Sequence, residues 1–248
     1  MCIRDSFESV GSEETQECLR KLVRVAKNLG QKYDAVVTNP PYMGASGMGA
    51  KLSKYVKDSY PDSKSDLFAV FIEKCGQMTK KNAYQAMITQ HAWMFLSSFE
   101  KLRNKLQMMD IVNMAHLGPR AFEEIGGEVV QTTSFVIRNS HIKGYKGTYC
   151  RLIEPTTQQG KEKMFLDADN RYYSEQYNFS KIPGNPVAYW VSNAIIRSFG
   201  TDKMIKDYSV ASVGIQTGDN EKFLHLWWEV EYINIDYKAQ KVEDSFQN

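Results

Sequence analysis

The sequence predicts an α/β domain with a largely parallel sheet, on two observations. Short apolar, β-branched runs alternate with stretches of helical spacing from Tyr33 to Arg138. That alternation is the pattern of strands joined by covering helices. The first run stops abruptly at Asn39-Pro40-Pro41-Tyr42, because proline has no N–H to continue a ladder.

Leu19, Leu22, Val23, Val25 and Ala26 fall near helical spacing, so Glu13 to Leu29 reads as a helix stopped at Gly30. Ala35-Val36-Val37 is a strand. Asp66 to Met78 reads as a helix with Leu67, Val70, Phe71 and Cys75 on one face and Lys80-Lys81-Asn82 as its exit. Tyr84 to Thr89 is a strand. Ser97 with Glu100 has the spacing of a capping box, opening a helix to about Leu106. Ile111 to His116 is another strand. Glu128 to Arg138 is a long β-rich run, and Tyr145 to Ile153 is expected to pair with it as an antiparallel hairpin. After Glu154 the pattern loosens. Ile182-Pro183-Gly184-Asn185-Pro186 is a break, and Val187 to Phe199 reads as helical.

Composition excludes several classes. The 248 residues carry 31 Lys plus Arg against 29 Asp plus Glu, a formal net charge of +2, with 42% hydrophobic residues. This is a globular chain and neither a disordered one nor a uniformly basic one. Cys2, Cys18, Cys75 and Cys150 have no C-x-x-C spacing, and His91, His116, His141 and His225 have no H-x-x-x-H spacing, so no metal site is expected. No run approaches the ~20 apolar residues of a membrane helix. Nor does Met1 to Ser6 hold the apolar core of a secretory signal, and a cytoplasmic protein is expected. Gly44 to Lys51 looks superficially like a phosphate loop. It lacks Lys and Ser/Thr in direct succession after Gly, and it lacks the dinucleotide fingerprint, so a loop able to close on a substrate is expected there. Trp190, Trp227 and Trp228 are expected to be buried packing residues.

The residues suited to chemistry are Asn39, Pro40, Pro41 and Tyr42. An amino group conjugated to a ring is a poor nucleophile, since its lone pair is delocalised. Two acceptors that hold its protons favour a more tetrahedral nitrogen. The Asn39 side-chain oxygen and the Pro40 carbonyl are such acceptors. Two prolines hold them in place, and Tyr42 offers a face on which a planar base stacks.

This turn resembles the hallmark of S-adenosylmethionine-dependent amino methyltransferases. The wider segments Tyr33 to Gly44, Ser63 to Glu73, Tyr84 to His91 and Ala121 to Thr133 resemble the adenine-specific DNA methyltransferases of bacteriophage exclusion (BREX) systems, roughly from Gln31 onward. The resemblance implies a Rossmann-like class I methyltransferase domain, with S-adenosylmethionine as cofactor and double-stranded DNA as partner. Other subunits of a phage-defence complex are implied as further partners. It implies that Asn39, Pro40 and Tyr42 grip the adenine amino group, that Phe122 stacks on the flipped base beside Tyr42, and that Asp66, Phe68 and Phe71 border the cofactor. Gly214, Thr217, Gly218 and Asn220 resemble the entry to a DNA-recognition region.

The glycine-rich cofactor turn of such enzymes has no counterpart among the 38 residues before Asn39. The expectation is an internal fragment holding the C-terminal half of the methyltransferase domain. Residues 1–6 are expected to be a non-native leader, 7–32 a helical segment, 33–153 the partial catalytic domain, 154–207 a connection and 208–248 the truncated start of the recognition region. Alone, it is expected to bind cofactor weakly and not to methylate. Two alternatives remain open. One is methylation of protein glutamine or RNA by the same turn, and the other is a non-catalytic DNA-binding or assembly subunit.

Overall fold

The computed structural model describes residues 12–122 and 130–200, and in the C-terminal stretch residues 207–209, 225–226 and 228–235. The chain divides into two compact units, Met1–Gly200 and Thr201–Asn248. In the second, the 3-10 turn Tyr232–Asn234 is defined among the described residues.

In the first unit, the helix α1 (Ser12–Gly30) places Glu13 and Glu14 in its first turn and Lys27 in its last, matching the helix dipole. Its apolar residues Leu19, Leu22, Val23 and Leu29 are exposed. The strand β1 (Tyr33–Thr38) leads into the Asn-Pro-Pro-Tyr turn. Two helices come after it, α2 (Ala50–Ser59) and α3 (Leu67–Met78). Next come β2 (Thr79–Gln90), α4 (Glu100–Leu106), β3 (Asp110–Gly118), β4 (Thr132–Arg138) and β5 (Lys146–Arg151). The helix α5 (Gln158–Leu166), the strand β6 (Tyr172–Glu175) and the short helices α6 (Gln176–Phe179) and α7 (Asn193–Ser198) complete it.

The six strands form one mixed sheet in the order β1-β2-β4-β3-β5-β6. The α/β expectation holds, but the largely parallel sheet is corrected: β1–β2 and β3–β5 pair parallel, whereas β2–β4, β4–β3 and β5–β6 pair antiparallel. The strand partners differ from the expected hairpin: β4 pairs antiparallel with both β2 and β3, whereas β5 pairs parallel to β3 and antiparallel to β6. The physical reason is occupancy, since both edges of β4 are already taken. Gly147 permits the alternative pairing. A Cβ there would stand 2.3 Å from the Ile111 carbonyl oxygen, so only glycine lets β5 approach β3 so closely.

Three further expectations are corrected. Lys80-Lys81-Asn82 is not a helix exit. The strand β2 begins at Thr79 with a bulge, where Asn82 adopts φ 65 and Asn139 donates its amide to the Thr79 and Lys80 carbonyls. Ser97 opens a 3-10 turn, and α4 starts after it with no side-chain cap, so the capping box does not form. Val187 to Phe199 is helical only over α7, capped by Ser192. Pro186 and the bond from Val187 N–H to the Met94 carbonyl (2.9 Å) hold the preceding stretch extended, which sends Val187, Ala188 and Tyr189 inward.

The core lies on one face of the sheet. Phe68, Ala69 and Ile72 from α3, Leu102 and Leu106 from α4, and Phe179, Val187 and Tyr189 pack on Met87, Ile111, Met114, Phe135, Ile137 and Tyr149. Arg103 crosses this layer at 3% exposure. Its guanidinium donates to the carbonyls of Trp93 (2.9 Å), Leu96 (2.7 Å) and Gly184 (2.6 and 3.0 Å). These carbonyls belong to turns and have no ladder partner. Replacing Arg103 with Met removes every one of these donors at once, and the expected loss is about 3 kcal/mol, read as a shift in urea midpoint at unchanged slope.

Candidate active site

The carboxyl ends of β1, β2, β3 and β5 share one edge of the sheet, as the parallel pairs β1–β2 and β3–β5 and the antiparallel β4 between them require. In open α/β sheets this edge is where ligands bind. Asn39 emerges there from β1 and is exposed. Pro40 is buried, Pro41 exposed and Tyr42 half-buried. The Tyr42 hydroxyl donates to the Ile88 carbonyl at 3.4 Å, and its ring meets Phe68 edge-on, with centroids 6.2 Å apart. Burial raises the Tyr42 pKa, so the phenol stays protonated.

Asp66 anchors the segment beyond the turn. Its Oδ1 accepts the Phe68 N–H at 3.2 Å, capping α3, and the Met43 N–H at 3.0 Å. Leu67 N–H returns a bond to the Met43 carbonyl at 2.9 Å, and Ala45 N–H reaches the Ser65 carbonyl at 3.1 Å. Met48 is then buried with Val56, Tyr60 and Val70. The segment expected to be a loop free to close is thus pinned at both ends, by Asp66 and Ser65 at one and Met48 at the other.

Phe68 is fully enclosed and backs Tyr42, while Phe71 is half-buried. Phe122 is half-buried beyond Gly118, at the end of β3. It shares the edge with Tyr42, but β1 and β3 lie three strand spacings apart, about 14 Å. No contact between the two rings exists among the described residues. Gly214, Thr217, Gly218, Asn220 and Trp227 lie outside the described residues. Trp190 is half-buried, but Trp228 is 62% exposed, which corrects its expected burial.

The same edge carries a group that the sequence reading missed. His91 Nδ1 lies 2.7 Å from His116 Nε2, and His116 Nδ1 lies 3.1 Å from the Tyr189 hydroxyl. Phe95 and Trp190 pack on the pair, and the Arg151 guanidinium lies 5.4 Å from the centre of the Trp190 ring. Burial, then the positive charges of His91, Arg151 and Lys161, pushes His116 down to about 3. The signal was available: each histidine terminates a strand legible in the sequence, and parallel strands bring such ends together. Among the described residues no three His, Cys, Asp or Glu side chains are grouped to hold a metal, and no helix is long and apolar enough to cross a membrane.

Residues 5–121 match the family model of the Eco57I restriction-modification methylase. Adenine-specific methyltransferase PglX of Lacticaseibacillus casei (strain Zhang) is 46% identical over 94% of this chain and 20% of its own length. The chain resembles PglX over nearly its whole length. Adenine-specific methyltransferase BrxX of Escherichia coli O9:H4 (strain HS) is 42% identical over 84% of this chain and 17% of its own length. The chain therefore spans a fifth or less of PglX and BrxX. Among solved structures, the methyltransferase subunit of a type I restriction-modification system from Streptococcus thermophilus covers 63% of this chain and is itself covered to 37%, at 16% identity and a TM-score of 0.42.

Two outcomes are expected. Asp66→Ala removes the cap and the Met43 bond together, destabilising the chain by about 1–2 kcal/mol in urea and accelerating hydrogen exchange at the Met43 amide. His116 is neutral when folded and ordinarily titrates at 6.5, so the unfolded chain binds the extra proton between 6.5 and about 3. Its stabilising effect is complete above 6.5 and is lost progressively as pH falls toward 3. His116→Gln should flatten that acid limb of the urea midpoint against pH.

Proposed function

We propose that this chain carries the adenine-gripping half of an S-adenosylmethionine-dependent DNA methyltransferase that acts on the adenine amino group in a phage-defence system. One observation carries the reading. The Asn39 side chain and the Pro40 carbonyl have no hydrogen-bond partner among the described residues, yet the turn that holds them is fixed from both sides. Two acceptors left open on a rigid, proline-locked turn are ready for the two protons of one amino group.

The amino group of adenine is unreachable within the stack, so the base must leave the duplex. Asn39 accepts one amino proton and the Pro40 carbonyl the other, which draws the nitrogen away from planarity. Tyr42, anchored on Ile88 and backed by Phe68, supplies the stacking surface, and Phe122 closes from the end of β3. S-adenosylmethionine, when bound, supplies an electrophilic methyl group. Of the residues expected to border it, Phe68 is enclosed and supports Tyr42 instead, while Asp66 Oδ2 and the half-buried Phe71 keep surface to offer. This chain thus fits the base more fully than the cofactor. The partners proposed are double-stranded DNA and further subunits of a defence complex, with the cytoplasm as the location that such a substrate implies. The identity to proteins called adenine-specific methyltransferases favours adenine over glutamine or RNA.

The test is transfer of a labelled methyl group to duplex DNA by the full-length enzyme, with an RNA and a glutamine peptide alongside. Asn39→Ala is expected to abolish transfer to DNA. Tyr42→Ala is expected to weaken substrate binding by about 1–3 kcal/mol. Transfer at an unchanged rate in Asn39→Ala rejects the role of the turn, and transfer to RNA or peptide alone rejects the substrate.

A further inference from the structure

The chain Tyr189–His116–His91 is not used by the reaction just described, and its proton positions can be worked out. Tyr189 is buried, and its hydroxyl has no hydrogen-bond partner but His116 among the described residues. A buried hydroxyl proton without an acceptor is costly, so Tyr189 donates to His116 Nδ1. A neutral imidazole carries one N–H. His116 is therefore protonated at Nε2 and donates to His91 Nδ1. That leaves the His91 proton on Nε2. The reverse order would strand the Tyr189 proton. Burial holds both rings below their ordinary pKa, so both stay neutral near pH 7.

His91 Nε2 has no partner among the described residues, and the ring is half-buried. It stands at the carboxyl end of β2, three residues beyond Ile88, whose carbonyl anchors Tyr42. Three residues span at most about 10 Å, within reach of the nucleotides that flank a base held at Tyr42. The charged groups around the pair come from the neighbouring elements. Arg151 of β5 pairs in register with His116, Lys161 of α5 donates to the Leu117 and Leu152 carbonyls, and Glu154 pairs with Arg151 at 3.1 Å. Phe95, Trp190 and Tyr189 contribute no charge. The balance is one positive charge, which suits an anionic acceptor.

We infer that His91 Nε2–H is a fixed, uncharged donor to a phosphate oxygen of the nucleic-acid strand whose base enters the Asn39–Tyr42 turn. The inference rests on the nucleic-acid reading of that turn. A neutral donor displaces no counterion, and this gives it a signature distinct from that of a cation.

The experiment is fluorescence anisotropy of the full-length protein with an adenine-containing duplex oligonucleotide across a range of salt. His91→Phe is expected to weaken binding about tenfold at every salt concentration, without changing the slope of log affinity against log salt. His91→Gln, which keeps an N–H, should stay within about threefold of the parent. Methylphosphonate at the linkage that His91 contacts, found by scanning those beside the adenine, should abolish the difference between parent and His91→Phe. Equal affinity of parent and His91→Phe, equal loss in both His91 variants, or a His91 effect that survives every methylphosphonate overturns the inference and leaves the reading of the turn intact. A parent that binds no duplex at any salt overturns both.

Discussion

A single carboxylate holds the candidate site together. Asp66 stands at the N-terminus of α3, where the first amide groups of a helix have no partner within it. It accepts one of them, and with the same oxygen it accepts the amide of Met43, immediately after the Asn-Pro-Pro-Tyr turn. A cap that would ordinarily serve its own helix thus also sets where a turn 23 residues earlier sits against the sheet. Phe68, two residues on, meets Tyr42 from behind, and Tyr42 reaches the backbone of β2. Helix start, turn and neighbouring strand form one closed circuit, which leaves the acceptors of Asn39 and Pro40 without a hydrogen-bond partner among the described residues.

The rigidity of that circuit matters for the proposed chemistry. Two acceptors draw an amino group out of its plane only if their own positions do not yield when the group arrives. Prolines remove two backbone amides that would otherwise compete for those carbonyls. Burial of Pro40 and the hydrogen bond of Tyr42 remove the remaining freedom.

Much of this was legible in the sequence, and the missing part has physical causes. The turn was legible because proline punctuates a strand regardless of context. The helix over α3 and the strands over β2 and β3 were legible because one face of each is buried and periodicity records burial, whereas β1, with no buried residue, was legible from its apolar run Ala35-Val36-Val37 before the prolines. The partner of β5 was not, because pairing depends on which strand edges are free, and that is a property of the whole sheet. The anchoring bonds of Asp66 were not legible for a related reason. Its resemblance to a cofactor-border position is local, whereas its two backbone bonds depend on a distant loop arriving beside it. The pair of His91 and His116 escaped notice because each looks like an isolated strand-end residue until β4 sets the distance between β2 and β3.

The position of β4 also constrains the order in which the sheet assembles. The strands β2 and β3 are consecutive along the chain, yet they do not touch as neighbours, because a later strand separates them. They cannot pair with each other on the way to the native state without blocking the slot that β4 must fill. Residues Tyr84 to Gln90 pair with Arg138 to Thr132, a contact that closes a long loop before it gains any stabilisation. Such closure is slow relative to local helix formation. The two halves of the sheet meet only through β4, so the edge on which the turn and both histidines converge is complete only when that strand is in place.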